Sequence, residues 1–179
     1  MTHREGIQIP QQVGGPQEVD YSTAVSDFGP LARDRIPIRS MTERDLHALA
    51  AIDETITGRN RLRYFERKLT EALQESDVRI SLVAELDEVP VGFIMARVDF
   101  GEFGRVESTA VLDTIGVDPQ YAGRGVGRAL LSQLLSNLTS LRVDRILTEV
   151  DWGDVGLLGF LAGCGFTSSS RLSFSKEIS

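Results

Sequence analysis

Apolar and polar positions follow two different spacings along this chain, and each spacing predicts a kind of element. In residues 62–73 and 126–138 apolar side chains recur every three or four positions, which is typical of a helix with one buried side. Shorter runs rich in β-branched and aromatic residues predict strands. These runs are 36–40, 79–86, 90–100, 108–117, 145–150 and 166–178.

The ends of some elements can also be read from the sequence. Thr42 and Asp45 resemble the start of a helix over residues 46–56, and Gly58 is a suitable stop. The residues Asp-Glu-Val-Pro at 87–90 predict a turn between two antiparallel strands.

The order of the elements predicts the fold class. With a further short helix over residues 154–164, the order is strand, two helices, three strands, helix, strand, helix, strand. Strands joined by a short turn pair antiparallel, whereas strands separated by a helix can pair in parallel. The prediction is an α+β (mixed α/β) fold, with about four helices flanking a central mixed, mostly antiparallel sheet of about six strands.

Glycine and proline divide the chain into a tail and a domain. Residues 1–35 contain several of both and show no sustained period, so we predict a mostly disordered N-terminal tail there. The folded domain is predicted to span residues 36–179, and 41% apolar residues in the chain are enough for one buried core.

Charge and composition limit the partners. The chain has 19 Lys and Arg against 26 Asp and Glu, a formal charge of -7, which disfavours nucleic acid as a partner. No apolar run reaches the roughly 18 residues that span a bilayer, and the N-terminal residues lack the layout of a signal peptide. A cytoplasmic protein without a membrane partner is expected. No metal is expected either, because His3, His47 and Cys164 do not form a ligand cluster.

The stretch IGVDPQYAGRGVGRALLSQLL, residues 115–135, carries the most informative pattern. Glycines 123, 125 and 127 and arginines 124 and 128 lie where a strand leads into a helix. Glycines expose backbone N–H groups and the helix dipole adds positive charge, so phosphate is the natural ligand. The spacing matches neither the dinucleotide fingerprint nor the P-loop. Tight packing between strand and helix would explain one glycine more readily than three.

The same stretch resembles the acyl-CoA-binding motif of the GCN5-related N-acetyltransferase (GNAT) family, R/Q-x-x-G-x-G/A after a strand and an Asp-Pro turn. The register Gln120, Gly123, Gly125 matches the letters. The register that begins at Ala122 matches the usual distance from the strand, and we prefer it although Ala replaces Arg or Gln. The order of elements from Ile36 to the C terminus also resembles the family.

The resemblance implies acetyl-CoA as cosubstrate and no metal. Family members bind the pyrophosphate through backbone N–H groups of this loop and pair the pantetheine arm with the preceding strand. The N–H of Val117 is the implied donor to the thioester oxygen, where negative charge develops during acyl transfer. The implied cofactor-binding residues are Ile115, Gly116, Val117, Ala122, Gly123, Arg124, Gly125, Val126, Gly127, Arg128 and Asp154.

A carboxylate is expected to take the proton of the attacking ammonium group. Asp113 lies four residues before Val117 on the same strand, where it faces either the cleft or solvent. Glu85 is the second candidate for the general base. Glu149 and Asp151 form a third group, more in keeping with substrate contact or solvation.

The general acid is not identified. Many relatives carry Asn-x-x-Ala-x-x-x-Tyr before Gly-Phe, and counting back from residues 165–166 puts Leu161 at the Tyr position and Asp154 at the Asn position. Because Leu161 cannot donate a proton, Tyr121, Tyr64 or solvent are the alternatives.

The leading interpretation is an N-acetyltransferase that moves an acetyl group from acetyl-CoA to a primary amine by direct attack. The acceptor is a small molecule or a protein, through its N-terminus or a lysine. In the family a helix junction commonly walls the acceptor site, here with Asp53, Glu54 and Arg59. The alternatives are a non-catalytic acyl-CoA-binding sensor or interaction module, and a scaffold whose glycine loop is only structural. Many relatives pair through edge strands or helices, so a homodimer is one option.

Overall fold

The fold is a mixed sheet covered by helices on both faces. The structure is a computed structural model that describes residues 36–74, 79–99, 108–170 and 175–178. The strands in this part of the chain are β1 (Ile38–Ser40), β2 (Arg79–Leu86), β3 (Val89–Asp99), β4 (Thr109–Val117) and β5 (Arg145–Leu147). They lie side by side in the order β1-β2-β3-β4-β5. Only β4 and β5 are parallel; the other neighbours are antiparallel.

Helices cover both faces of this sheet. Those in the described residues are α1 (Leu46–Thr57), α2 (Leu62–Gln74), α3 (Val126–Ser140) and α4 (Val155–Ala162). Apolar side chains of α1 and α2 form one core with one face of the sheet, and those of α3 and α4 form a second core with the other face. The predicted fold class, an α+β sheet with about four flanking helices, is confirmed.

Local signals in the sequence explain several boundaries. Asp87 and Glu88 have φ values of 50° and 63°, the left-handed conformation that two-residue hairpin turns require. Thr42 and Asp45, predicted to start the helix, form a capping box before α1, with a 3-10 turn over Glu43–Asp45. Gly58 ends α1 at φ 68°, and its N–H donates to the carbonyl of Glu54 at 2.8 Å.

The C-terminal part of the sheet is shorter than predicted. β5 covers three residues of the expected 145–150, and the described parts of the predicted last strand, 166–170 and 175–178, are not in a strand. Residues 171–174 and the predicted tail, 1–35, lie outside the described residues. The described sheet therefore has five strands where about six were expected. Residues 167–170 are Thr and three Ser, which offer the core no apolar face to bury.

A close approach between β3 and α3 places the start of that helix. A Cβ on Gly92 would lie 2.9 Å from Cγ1 of Val126 and 3.2 Å from Cδ1 of Leu130. Glycine is therefore needed at 92 for the first turn of α3 to pack against the sheet. The glycine loop, residues 118–125 between β4 and α3, is thereby held at the end of β4.

Candidate active site

The two parallel strands diverge after a short ladder. β4 and β5 pair over Thr109–Val111 and Arg145–Leu147, whereas β4 continues along β3 as far as Val117. The N–H of Asp118 donates to the carbonyl of Val91 at 2.9 Å, toward β3. Because successive N–H groups of a strand point in opposite directions, the N–H of Val117 points away from β3 and into the gap between β4 and β5.

A β-bulge lies where the gap opens. Ala96 pairs with Leu112 but Met95 pairs with Thr114, so Asp113 is an extra residue in β4. Such an insertion bends a strand and increases its twist, which turns β4 at the point where β5 leaves it. The available sequence signal was two consecutive polar residues, Asp113 and Thr114, in the middle of a mostly apolar strand.

Some N–H groups of the glycine loop donate to acceptors within the loop, and others have no acceptor among the described residues. Asp118 accepts the N–H of Gln120 at 2.8 Å, and the N–H groups of Tyr121, Ala122 and Arg124 bond to carbonyls within the loop. Gly123 and Gly125 have φ values of 73° and 87°. Five N–H groups have no hydrogen-bond partner among the described residues: those of Gly123, Gly125, Val126, Gly127 and Arg128.

Positive charge and α4 surround these donors. The guanidinium of Arg124 lies 5.2 Å from the ring centre of Tyr121. The guanidinium of Arg128 points toward the end of α4, 3.8 Å from where a Cβ of Gly163 would lie. A Cβ on Gly127 would lie 3.2 Å from the ring of Phe160, so α4 packs against the first turn of α3. The arrangement can bind an anion beside the gap.

The structure places Asp113 on the face of the sheet covered by α1 and α2. Its carboxylate pairs with the guanidinium of Arg97, and the Nζ atom of Lys68 lies 3.9 Å from Oδ2. The Asp113 side chain is 13% exposed. Both oxygens are therefore in contact with cations.

Glu85 lies elsewhere. It is on β2, with β3 between it and β4, and it accepts a hydrogen bond from Nε of Arg39 at 2.6 Å. Arg39 also donates to the buried carboxylate of Asp45 at 2.8 Å. These hydrogen bonds lower the pKa of Asp45 and raise the pKa of Arg39. The structure does not bring Asp113 and Glu85 together.

The residues at the family's Tyr and Asn positions, the tyrosine candidate Tyr64 and the thiol of Cys164 all have structural contacts of their own. Leu161 is buried in the core, and Asp154 caps α4 by accepting the N–H of Leu157 at 2.9 Å. Tyr64 packs edge-on against Phe65. Burial raises the pKa of the Cys164 thiol, against the weaker opposing effect of the Arg128 charge.

The corner between α1 and α2 lies over the end of β4, on the face opposite α3. A Cβ on Gly116 would lie 3.4 Å from Cδ1 of Ile56, near the end of α1. Asp53 is buried and accepts a hydrogen bond from Nε of Arg61 at 2.7 Å, which raises the pKa of Arg61. Glu54 accepts from the Asn60 amide at 3.3 Å. The α1–α2 corner, which includes these residues, therefore lies over the end of β4, on the face of the sheet opposite α3.

No group of three or more His, Cys, Asp and Glu side chains in the described part of the chain could hold a metal ion. None of the helices within it is long and apolar enough to cross a membrane.

The fold thus combines a mixed sheet, a pair of parallel strands that separate, and a helix N-terminus with free N–H groups beside the point of separation. The acetyltransferase (GNAT) family model matches residues 45–166, and the chain belongs to this family.

Several solved structures share the fold. A transcriptional regulator from Bacillus halodurans has a TM-score of 0.68 at 18% identity, covering 80% of this chain and 99% of its own. AAC(6')-Iy in complex with the bisubstrate analog CoA-S-monomethyl-acetylneamine has a TM-score of 0.67 at 19% identity, covering 80% of this chain and 99% of its own. A second structure names this protein an aminoglycoside N-acetyltransferase. Glucosamine-6-phosphate N-acetyltransferase from Arabidopsis thaliana has a TM-score of 0.63 at 17% identity, covering 80% of this chain and 99% of its own. At these identities the likeness establishes the fold alone.

Proposed function

We propose that this protein is an N-acetyltransferase that moves an acetyl group from acetyl-CoA to a primary amine by direct attack. The observation that carries the proposal is a set of five N–H groups, at residues 123 and 125–128, that have no partner in the part of the chain that the structure describes. Arg124 and Arg128 flank them at the mouth of the β4–β5 gap. Oriented N–H groups and guanidinium groups favour a pyrophosphate. Membership of an acetyltransferase family supports an acetyl donor.

The gap suits the other end of acetyl-CoA. The edge of β4 at Ile115 and Val117 can pair with an extended amide chain such as the pantetheine arm, as an added strand does. The N–H of Val117 then stabilises the oxygen of the tetrahedral intermediate. The amine nitrogen bonds to the carbonyl carbon, the C–S bond breaks, and the amine gives up a proton.

We propose Asp113 as the general base, with Glu85 as the alternative. Asp113 lies on β4, beside the gap, whereas Glu85 is two strands away and bonded to Arg39. For Asp113 to act, a water must bridge it to the amine, or Arg97 or Lys68 must move aside.

The thiolate of CoA takes its proton from solvent or from Tyr121, since Leu161 has no proton to give. A covalent route through Cys164 is not proposed, because burial raises the pKa of this thiol and favours the less nucleophilic protonated form. Direct attack is therefore the mechanism we favour.

The acceptor is a primary amine on a small molecule or a protein, which we place against the α1–α2 corner. Two structural neighbours are acetyltransferases named for aminoglycosides and glucosamine-6-phosphate. A second function, a non-catalytic acyl-CoA-binding sensor or interaction module, is favoured by the buried Leu161 at the general-acid position. A neighbour named as a transcriptional regulator shows that the same fold occurs under that description.

Calorimetric titration with acetyl-CoA and with CoA tests the proposal, followed by thiol-release assays against pooled peptides, polyamines and small amines. Binding with thiol release in one pool supports the transferase and identifies the acceptor class. Binding without release in every pool favours the sensor. Absence of binding contradicts both.

A further inference from the structure

We propose that Thr148 is a positioning residue that fixes the point at which β4 and β5 separate. By fixing that point, it sets where the N–H of Val117 lies relative to a bound thioester. Only this second step rests on the proposed function, because the separation of the strands is a property of the protein alone.

The observation is a hydrogen bond just beyond the last ladder pair. Val111 and Leu147 form that pair, and the next residue, Thr148, donates its hydroxyl to the carbonyl of Leu112 at 3.1 Å. Leu112 in turn directly precedes the bulge residue, Asp113. The carbonyl of Leu112 on β4 therefore accepts a hydrogen bond from a side-chain hydroxyl at the position where the backbone ladder stops.

A second set of contacts closes the other end of the ladder. The hydroxyl of Ser108 donates to the carbonyl of Arg142 at 2.8 Å, and the N–H of Ser108 donates to the carboxylate of Asp144 at 3.2 Å. The three-residue ladder therefore has polar side-chain contacts at both ends. Only the contact of Thr148 adjoins the gap, and Ser108 offers a matched control.

Loss of the Thr148 hydroxyl has two possible structural outcomes, and both move the gap. The Leu112 carbonyl can take a backbone N–H from the chain after Thr148, which lengthens the ladder and narrows the gap. Alternatively it turns to water, and the strands part earlier. Thr is suited to this role because its branched side chain has few rotamers.

The first test uses the protein without ligand. Thr148→Val removes the hydroxyl at nearly constant shape, Thr148→Ser keeps it, and Ser108→Ala removes a hydroxyl at the far end of the ladder. We expect Thr148→Val to change the amide chemical shifts and hydrogen-exchange rates of Ile115 and Val117. Thr148→Ser and Ser108→Ala should leave them near their wild-type values. If Thr148→Val does not fold, Thr148→Ala serves as a second variant without the hydroxyl.

The second test follows acetyl transfer in the same variants. Thr148→Val should lower kcat/KM for acetyl-CoA about three- to tenfold, the usual worth of one hydrogen bond, without changing the KM of the amine. Thr148→Ser should restore most of the loss. The sole tryptophan, Trp152, is 87% exposed and lies four residues after Thr148, so its fluorescence reports on this segment during CoA titration.

The outcomes separate this proposal from the proposed function. If Thr148→Val lowers only the unfolding midpoint, as Ser108→Ala does, and leaves the Val117 amide unchanged, Thr148 is merely structural and the proposal is overturned. If the Val117 amide responds as expected but wild-type protein binds neither acetyl-CoA nor CoA, the proposed function fails while the role of Thr148 in the gap stands.

Discussion

Gly125 and Gly127 belong to the same motif, but a side chain would meet different surroundings at each. Gly125 has a φ of 87°, and a Cβ there would meet nothing within 4 Å. Gly127 has an ordinary helical φ, but its Cβ would lie 3.2 Å from the ring of Phe160. The first glycine is required by backbone conformation and the second by packing of α4.

Charge at Gly125 should decide anion binding. Asn and Asp have similar shapes and both tolerate positive φ better than most residues, so Gly125→Asn and Gly125→Asp differ mainly by one negative charge. We expect Gly125→Asp to bind CoA at least about tenfold more weakly than Gly125→Asn, measured by calorimetry. Equal affinities in two folded variants would show that the pyrophosphate does not bind here.

The contact between residue 127 and α4 should affect the free energy of unfolding. Gly127→Ala presses its methyl group against Phe160, so it should lack the gain of up to about 1 kcal/mol in the free energy of unfolding that Ala normally brings to a helix, measured with urea. Gly159→Ala is the control, because a Cβ there meets nothing within 4 Å and α4 should gain up to about 1 kcal/mol. A similar effect of both substitutions on stability would refute the contact with α4.

The pairing of Asp113 with Arg97 and Lys68 makes its role in proton transfer testable. If Asp113 is the base, Asp113→Asn should lower kcat by about a hundredfold near neutral pH and leave the affinity for CoA unchanged. Glu85→Gln should leave kcat near the wild-type value. An unchanged pH–rate profile in Asp113→Asn would transfer the role to Glu85 or to water.

At the scale of elements, the sequence predicted what depends on neighbours along the chain. The helical period predicted α2 and α3, and the N-cap pattern of Thr42 and Asp45 predicted the start of α1. The bulge at Asp113 and the short β5 depend instead on contacts between β4 and its partners, as in the bond from Thr148 to Leu112. No local period encodes such contacts. The partners of Asp113 were missed for the same reason, since Lys68 and Arg97 are remote in sequence.

The start of α1 should weaken in acid. Hydrogen bonds from Arg39 lower the pKa of Asp45, so this carboxylate adds stability above its unfolded value of about 3.9, and the contribution is lost as pH falls through the folded value. Asp45→Asn should cost about 1–3 kcal/mol at pH 7 and make stability less dependent on pH below about 4, measured by urea unfolding. Glu43→Gln, an exposed acid in the same turn, is the control and should change little. If the stability of Asp45→Asn falls in acid as steeply as that of the wild type, the role of Asp45 at the start of α1 is contradicted.

For the whole molecule, overall charge and local charge oppose each other. The chain carries a formal charge of -7, which repels an anionic ligand at long range, while Arg124, Arg128 and the start of α3 attract it locally. Local donors are stronger at contact distance because they form hydrogen bonds. Net charge is therefore a weak guide to what the glycine loop can bind.

Ligand binding should stabilise the folded chain as a unit. CoA at a hundred times its Kd should add about 2.7 kcal/mol to the free energy of unfolding and raise Tm in a concentration-dependent way. Pantetheine, which lacks the pyrophosphate, is the control and should raise Tm less at equal concentration. An equal rise with both compounds would mean that the donors at the start of α3 contribute little.

Inserting or deleting one residue in a strand normally moves all the following side chains to the opposite face of the sheet, because side chains alternate between the two faces. β4 departs from this rule at its bulge. Leu112 and Ile115 both pack on the α3 side, with Asp113 and Thr114 between them where a regular strand would have one residue. A chain shortened by one residue at this point would alternate regularly and keep Ile115 and Val117 on their present faces. Ile115 and Val117 would then keep their places beside α3, but the bend beside the gap would disappear.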